Sequence, residues 1–156
     1  MPSPVVEIRI ESPRTPDVVA LLEHHLAFSY ATTEPEHVFA LDLDGLDTPS
    51  VTFVTARSAG ELLGIGALKA LDATHGELKS MHTVEAARGQ GIARRLVEHL
   101  VGLARERKLD RVSLETGSQD AYAPARALYE RCGFTPCGPF ADYPDAPSSA
   151  FYTRAL

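Results

Sequence analysis

The sequence predicts an α/β fold, a mixed sheet with helices on its faces. Two observations carry this. Strand-like and helix-like segments alternate in the order β-α-(α)-β-β-β-α-β-α-β-β, which suits helices packed on a sheet. The strongest helical period in the chain, Ile92, Leu96, Leu100 and Leu103, follows a strand after a short glycine-bearing turn. At 156 residues the chain has the length of one domain, taken here as 1–156.

The elements follow in order. VVEIRIE (5–11) sets Val6, Ile8 and Ile10 against Val5, Glu7, Arg9 and Glu11, the period of a strand with one buried face. Thr15-Pro16-Asp17 has a hydroxyl N-cap, a proline at the first helical position and an acid in the first turn. Val18, Val19, Leu22 and Leu26 carry that helix to about Tyr30, with His24-His25 on its exposed flank. Prolines and aspartates leave 31–50 partly loop-like, with room for a short helix. VTFVTAR (51–57), ELLGIGALKALD (61–72) and GELKSMHTV (76–84) read as strands, and the glycines of the second permit bends or bulges. A helix from about Gly89 to Lys108 follows, then the strand DRVSLET (110–116). YAPARALYERCGF (122–134) reads as a helix stopped at Gly133, and TPCGPF and SSAFYTRAL as closing strands around a proline-rich loop.

Composition narrows the function. A net charge of −6 argues against nucleic acid as a partner, because neutralising phosphates needs a basic surface. No run of about 18 apolar residues offers a membrane span, and the N-terminus lacks the pattern of a secretory signal. The expected location is therefore cytoplasmic. Cys132 and Cys137 form no CxxC pair and read as packed thiols, and the six histidines are too scattered to predict a metal site.

The stretch ARGQGIARRLVEHL (87–100) spends two glycines where a helix begins, although glycine costs roughly 0.8–1 kcal/mol relative to alanine inside a helix. A helix N-terminus presents unpaired N–H groups and about half a positive charge. Glycines there let an anion approach the backbone and permit positive φ. They also serve a tight strand–helix turn with no ligand. The stretch is neither GxxxxGK[ST] nor GxGxxG.

Its spacing, Arg88-x-x-Gly91-x-Ala93, resembles the R/Q-x-x-G-x-G/A pyrophosphate loop of the GNAT family of N-acetyltransferases. Ala125, Leu128, Tyr129, Gly133 and Phe134 resemble the family's A-x-x-L-Y-x-x-x-G-F segment, and the element order is similar from about Val5 to Leu156. The run from LETGSQDAYAPARALYERCGF through CGPFADYP is similar to a bacterial subgroup with small-molecule or unassigned acceptors. The resemblance implies a mostly antiparallel sheet with helices on both faces and a splayed central strand pair. It implies acetyl-CoA as acyl donor, no metal, and a small-molecule amine as acceptor, attacking the thioester directly in a ternary complex. A non-catalytic acyl-CoA-binding module and a protein N-acetyltransferase are the alternatives, and homodimerisation stays open.

Carried over residue by residue, the resemblance places the pantetheine arm on main-chain atoms of Met81, His82 and Thr83, beside a β-bulge. It places the pyrophosphate on N–H groups of Arg88, Gly89, Gln90, Gly91, Ile92 and Ala93. Tyr129 matches the tyrosine that protonates the departing thiolate. The family often has an asparagine seven residues earlier; here it is Tyr122, which either hydrogen-bonds in its place or packs. Direct attack needs a base, because an ammonium has no lone pair to offer. Glu115, near the end of its strand, is the first choice, with Glu77 and His82 behind; either glutamate also reads as a solvated strand-end charge. Phe28, Tyr30, His37, Phe39, Asp142, Tyr143 and Asp145 lie where the family shapes acceptor specificity.

Overall fold

A computed structural model describes residues 5–34 and 43–156, so His37 and Phe39 lie outside the described residues. The strands are β1 (Glu7–Ile10), β2 (Val51–Ser58), β3 (Glu61–Ala70), β4 (His75–Thr83), β5 (Arg111–Gly117), β6 (Thr135–Cys137) and β7 (Ser149–Ala155). The helices are α1 (Pro16–Thr32), α2 (Leu43–Leu46), α3 (Ile92–Glu106) and α4 (Ala123–Arg131), with 3₁₀ turns at Glu85–Ala87 and Asp120–Tyr122. Among the described residues the strands form one sheet in the order β1-β2-β3-β4-β5-β7-β6. Every pair is antiparallel except β4 and β5, the splayed central pair of the expected architecture.

Each face of the sheet carries an apolar layer. Leu96, Val97, Leu100, Val101 and Ala104 of α3 pack on Val54, Leu68, Leu78, Val112 and Leu114. On the other face Val18 and Leu22 of α1 pack with Leu46, Phe53, Ile65 and Ala67. Each fully buried leucine contributes roughly 1.5–3 kcal/mol relative to exposure, so these layers hold the helices to the sheet. The four-residue spacing of Leu96, Leu100 and Ala104 keeps them on one side of α3; Leu103, expected in that stripe, is only partly buried. None of the described helices is long and apolar enough to cross a membrane.

Three local expectations are corrected. β1 pairs along one side with β2, and Ile10 is 61% exposed, so the alternation of 5–11 does not bury its whole apolar set. α3 starts at Ile92, not Gly89, because both glycines before it have φ near +79°, outside the helical region. Thr15 is the N-cap of α1, but its hydroxyl donates to Asp17 while the Asp17 carboxylate accepts the N–H of Val18 at 2.8 Å. Arg57 pairs with that carboxylate and, with the two hydrogen bonds, holds its pKa down to about 2.

Candidate active site

Side-chain alternation on β4 and β5 makes one polar face. Leu78, Val112 and Leu114 join the α3 layer, which turns His75, Glu77, Lys79, Ser113 and Glu115 to the α1 side. The two strands pair only from His75↔Arg111 to Leu78↔Leu114 and then part. Opposite β3, the register jumps from Ala67↔Lys79 to Ile65↔His82, so β4 carries one extra residue there. Ser80, at φ +56°, marks this bulge. The extra residue reverses the alternation: the Met81 side chain packs with the α3 core, and His82 faces α1. The bulge expected beside Met81, His82 and Thr83 is therefore present.

A 3₁₀ turn leads from β4 to Arg88, Gly89, Gln90 and Gly91, the last being the N-cap of α3. A methyl built on Gly89 or Gly91 would meet nothing within 4 Å. Backbone conformation requires these glycines, and the space above them is open. The 15-residue helix α3 begins there, and its N-cap Gly91 offers no side-chain hydrogen bond to the first N–H groups. The cradle suits a diphosphate.

A cavity of about 430 Å³ occupies the gap between the parted strands. Its wall takes Glu77, Lys79, Met81 and His82 from β4, Arg88 from the β4–α3 segment, and Glu115 from β5. Tyr122 and Tyr129 come from the α4 region, Phe28 from α1, and Tyr143 from the loop before β7. Thr83, Gly89, Gln90, Gly91, Ile92 and Ala93 lie outside this wall. Of the acceptor candidates, Phe28 and Tyr143 line the cavity; Asp142 lines a second cavity of about 570 Å³, and Tyr30 and Asp145 line neither.

The titratable groups divide sharply. Burial pushes Glu115 up to about 7, and the charge of Glu77 adds to the rise. A hydrogen bond from Ser149 Oγ at 2.8 Å and the charge of Lys79 pull the other way. Glu77, only 2% exposed, pairs with Lys79 Nζ at 3.2 Å and accepts the Tyr143 hydroxyl. Lys79 Nζ also donates to Tyr143 Oη at 2.7 Å. Tyr129 is 7% exposed, and burial holds its proton well above the usual phenol range.

Two expectations about histidine change. His25 is not on an exposed flank: its Nδ1 lies 3.1 Å from Nδ1 of His82, and it lines the cavity. Burial lowers both imidazoles to about 4, helped by neighbouring positive charge, so the pair is neutral at pH 7. The histidines are also less scattered than their spacing suggests, since His24 stacks edge-on to His82 at 5.6 Å. Among the described residues no group of three or more His, Cys, Asp or Glu is arranged to hold a metal. Cys132 is buried in the core with its thiol pKa pushed up by burial, a poor nucleophile.

The Tyr122 ring packs edge-on to Phe28 at 5.4 Å, and its hydroxyl lies 3.0 Å from Thr32 Oγ1. Sequence reasoning missed Lys79, Ser149 and His25. The signal for Lys79 was its place in the alternation His75-x-Glu77-x-Lys79, three polar side chains on one face of a central strand.

A helix that begins at open glycines, beside a split in a mixed sheet, suits the donor side of an acyl-CoA-dependent transferase. The family comparison agrees. The sequence model of the Acetyltransferase (GNAT) family matches residues 18–134, and the chain belongs to that family. It is 42% identical to the uncharacterized N-acetyltransferase YsnE of Bacillus subtilis, over 97% of this chain and 100% of that protein. It is 38% identical to the IAA acetyltransferase of Azospirillum brasilense, over 98% and 99% of the two chains. The crystal structure of a Klebsiella pneumoniae chain described as an acyl-CoA N-acyltransferase superposes with TM-score 0.80 at 28% identity, covering 97% of each. A GNAT acetyltransferase of Elizabethkingia anophelis with acetyl-CoA bound shares the fold, with TM-score 0.69 at 16% identity over 97% and 98%. The chain is an acetyl-CoA-dependent N-acetyltransferase.

Proposed function

We propose that the protein acetylates the amine of a small molecule by direct attack on the thioester of acetyl-CoA, with Glu115 as base and Tyr129 as proton donor. Acetyl-CoA supplies an activated acyl group with a thiolate leaving group. The N–H groups from Arg88 to Ala93 hold its diphosphate, and the main chain of Met81, His82 and Thr83, freed where β4 leaves β5, pairs with its pantetheine arm. The amine enters from the α1 side, where Phe28 and Tyr143 bound the cavity.

The proton balance follows from the two environments. Glu115, poised near pH 7, takes the proton that the attacking nitrogen must lose. As the C–N bond forms and the C–S bond breaks, Tyr129 donates its proton to the sulfur. Burial keeps that phenol protonated until the thiolate is there to receive it. Glu77 is a poorer base because Lys79 and Tyr143 already occupy its carboxylate. His82 is a poorer one because its imidazole binds a proton only near pH 4. Both substrates held in one cavity supply proximity.

One observation supports this reading above the others: the open cradle at Gly89 and Gly91 leads through Arg88 into the same cavity that Glu115 and Tyr129 line. Calorimetric titration of acetyl-CoA tests it. Wild type binds, and Gly91→Asp, which puts a carboxylate in the cradle, loses binding by a factor of roughly 100 while retaining its fold. Equal binding by the two proteins would remove the cradle from the mechanism.

A further inference from the structure

In the buried cluster Glu77–Lys79–Tyr143, neither charged side chain has a role in the transfer just described. The ion pair has side chains only 3% and 7% exposed. Burying two charges carries a desolvation penalty that their attraction often only balances, so such a pair is weak evidence of stabilisation. Its place in the sheet is informative. Glu77 sits opposite Ser113 in the β4–β5 register, and Lys79 and Glu115 are the next residues along on the same face. All three charged side chains line one cavity.

We propose that Glu77 and Lys79 are positioning residues that act through Glu115, two opposite charges placed beside it to set the pH at which it becomes a base. The proposal rests on Glu115 being that base. The anion alone would hold the Glu115 proton too tightly, and the cation alone would leave Glu115 a permanent ion-pair partner with little basicity. Paired, they nearly cancel, and burial decides the result. Tyr143 anchors the balance: its hydroxyl donates to Glu77, and its oxygen accepts from Lys79.

The titratable and charged groups that line the cavity with Glu115 come from several elements, among them Tyr122, whose hydroxyl meets Thr32. β4 contributes Glu77, Lys79 and, past the bulge, His82; the loop before β7 contributes Tyr143; α4 contributes Tyr129; and α1 contributes His25. Arg88 lines the cavity from the β4–α3 segment. At pH 7 the phenols of Tyr129 and Tyr143 and the imidazoles of His25 and His82 are uncharged. Arg88 belongs to the diphosphate cradle. Glu77 and Lys79 are the charges left to act on Glu115, and their effects on it have opposite signs.

That opposition gives a test that damage to the fold cannot imitate. The ionisation of Glu115 is followed by carboxyl-carbon NMR on glutamate-labelled protein, its signal assigned by loss in Glu115→Gln. The pH dependence of kcat/KM is measured in parallel. Glu77→Gln leaves Lys79 facing Glu115 and lowers the midpoint by roughly one pH unit or more. Lys79→Met leaves two facing carboxylates, whose second ionisation moves up by a similar amount whichever of them holds the proton. The double variant Glu77→Gln/Lys79→Met removes both charges and returns the midpoint to within about half a pH unit of wild type. It also keeps the test available if a single variant leaves a lone buried charge and fails to fold. The acid limb of kcat/KM moves with the NMR midpoint.

Shifts of the same sign in the two single variants, no shift in either, or a double variant displaced from wild type would overturn the proposal. Opposite NMR shifts with an unmoved kcat/KM profile, and full activity in Glu115→Gln, would instead overturn the assignment of Glu115 as base.

Discussion

At the scale of single residues, the site works by giving like groups unlike surroundings. Two glutamates lie on the same face of adjacent strands. Glu77 is locked by an ammonium and a phenol, whereas Glu115 has one hydroxyl donor and is pushed up to about 7. Two of the tyrosines that line the cavity differ in the same way. Tyr122 spends its hydroxyl on Thr32, whereas Tyr129 packs edge-on to Phe134 in the core and lies beside Glu115. If Tyr129 gives its proton to sulfur, Tyr129→Phe keeps the packing and loses only the donor. Steady-state kinetics should then show kcat falling roughly a hundredfold or more, the scale of general acid–base catalysis. Calorimetric affinity for acetyl-CoA should stay within about twofold, since no cradle group changes. Unchanged kcat would leave Tyr129 as packing.

At the scale of elements, the cavity depends on how strands end. β5 closes with Gly117, and a methyl built there would lie 2.6 Å from Tyr122 Cε2 and 2.5 Å from Gln119 Oε1. The absent side chain lets the Asp120–Tyr122 turn fold against the strand. Arg126 then ties the turn down by donating to the carbonyls of Gly117 and Gln119 at 2.7 and 2.9 Å. Gly117→Ala should push the Tyr122 ring out of place and destabilise the protein by about 1–3 kcal/mol, the usual range for overpacking. Chemical denaturation measures that loss, and a loss of Tyr122–Phe28 contact shows in the near-ultraviolet circular dichroism. The sequence made the elements legible because period and punctuation agree in them: the 3.6-residue period of α3, the prolines of α1 and α4, and the order of all the strands. It made the cradle legible because positive φ selects glycine. The bulge at Ser80 was not legible from these residues alone, since nothing in KSMH forces an extra residue; the pairing with β3 does. Lys79 and His25 were missed for a related reason: their importance lies in what faces them from other elements.

At the scale of the whole molecule, the site sets how stability responds to pH. His25 and His82 titrate near 4 in the folded protein and near 6.5 when unfolded. Above pH 6.5 they cost nothing; as pH falls towards 4 the unfolded chain binds protons that the native state refuses, so stability is lost. Glu115 has the opposite sign, since its folded pKa is near 7 and its unfolded one near 4.5. Below 4.5 it is protonated in both states; as pH rises to 7 the unfolded chain releases a proton that the native state keeps, so stability falls and stays lower above 7. The carboxyl proposed as the base thus lowers stability in the pH range where it ionises. Glu115→Gln should therefore be more stable than wild type at pH 8, by about 1–3 kcal/mol, with Tm higher by roughly 3–10 °C. The gap should close as pH falls to 4, where both side chains are neutral. Scanning calorimetry across pH 4–8 checks this. A gap that stayed constant with pH would mean that the amide packs better than the carboxyl it replaces, for reasons unconnected with charge. A gap that closes on acidification would show that the native fold holds Glu115 against its ionisation, a destabilisation of the kind that active sites retain because activity needs it.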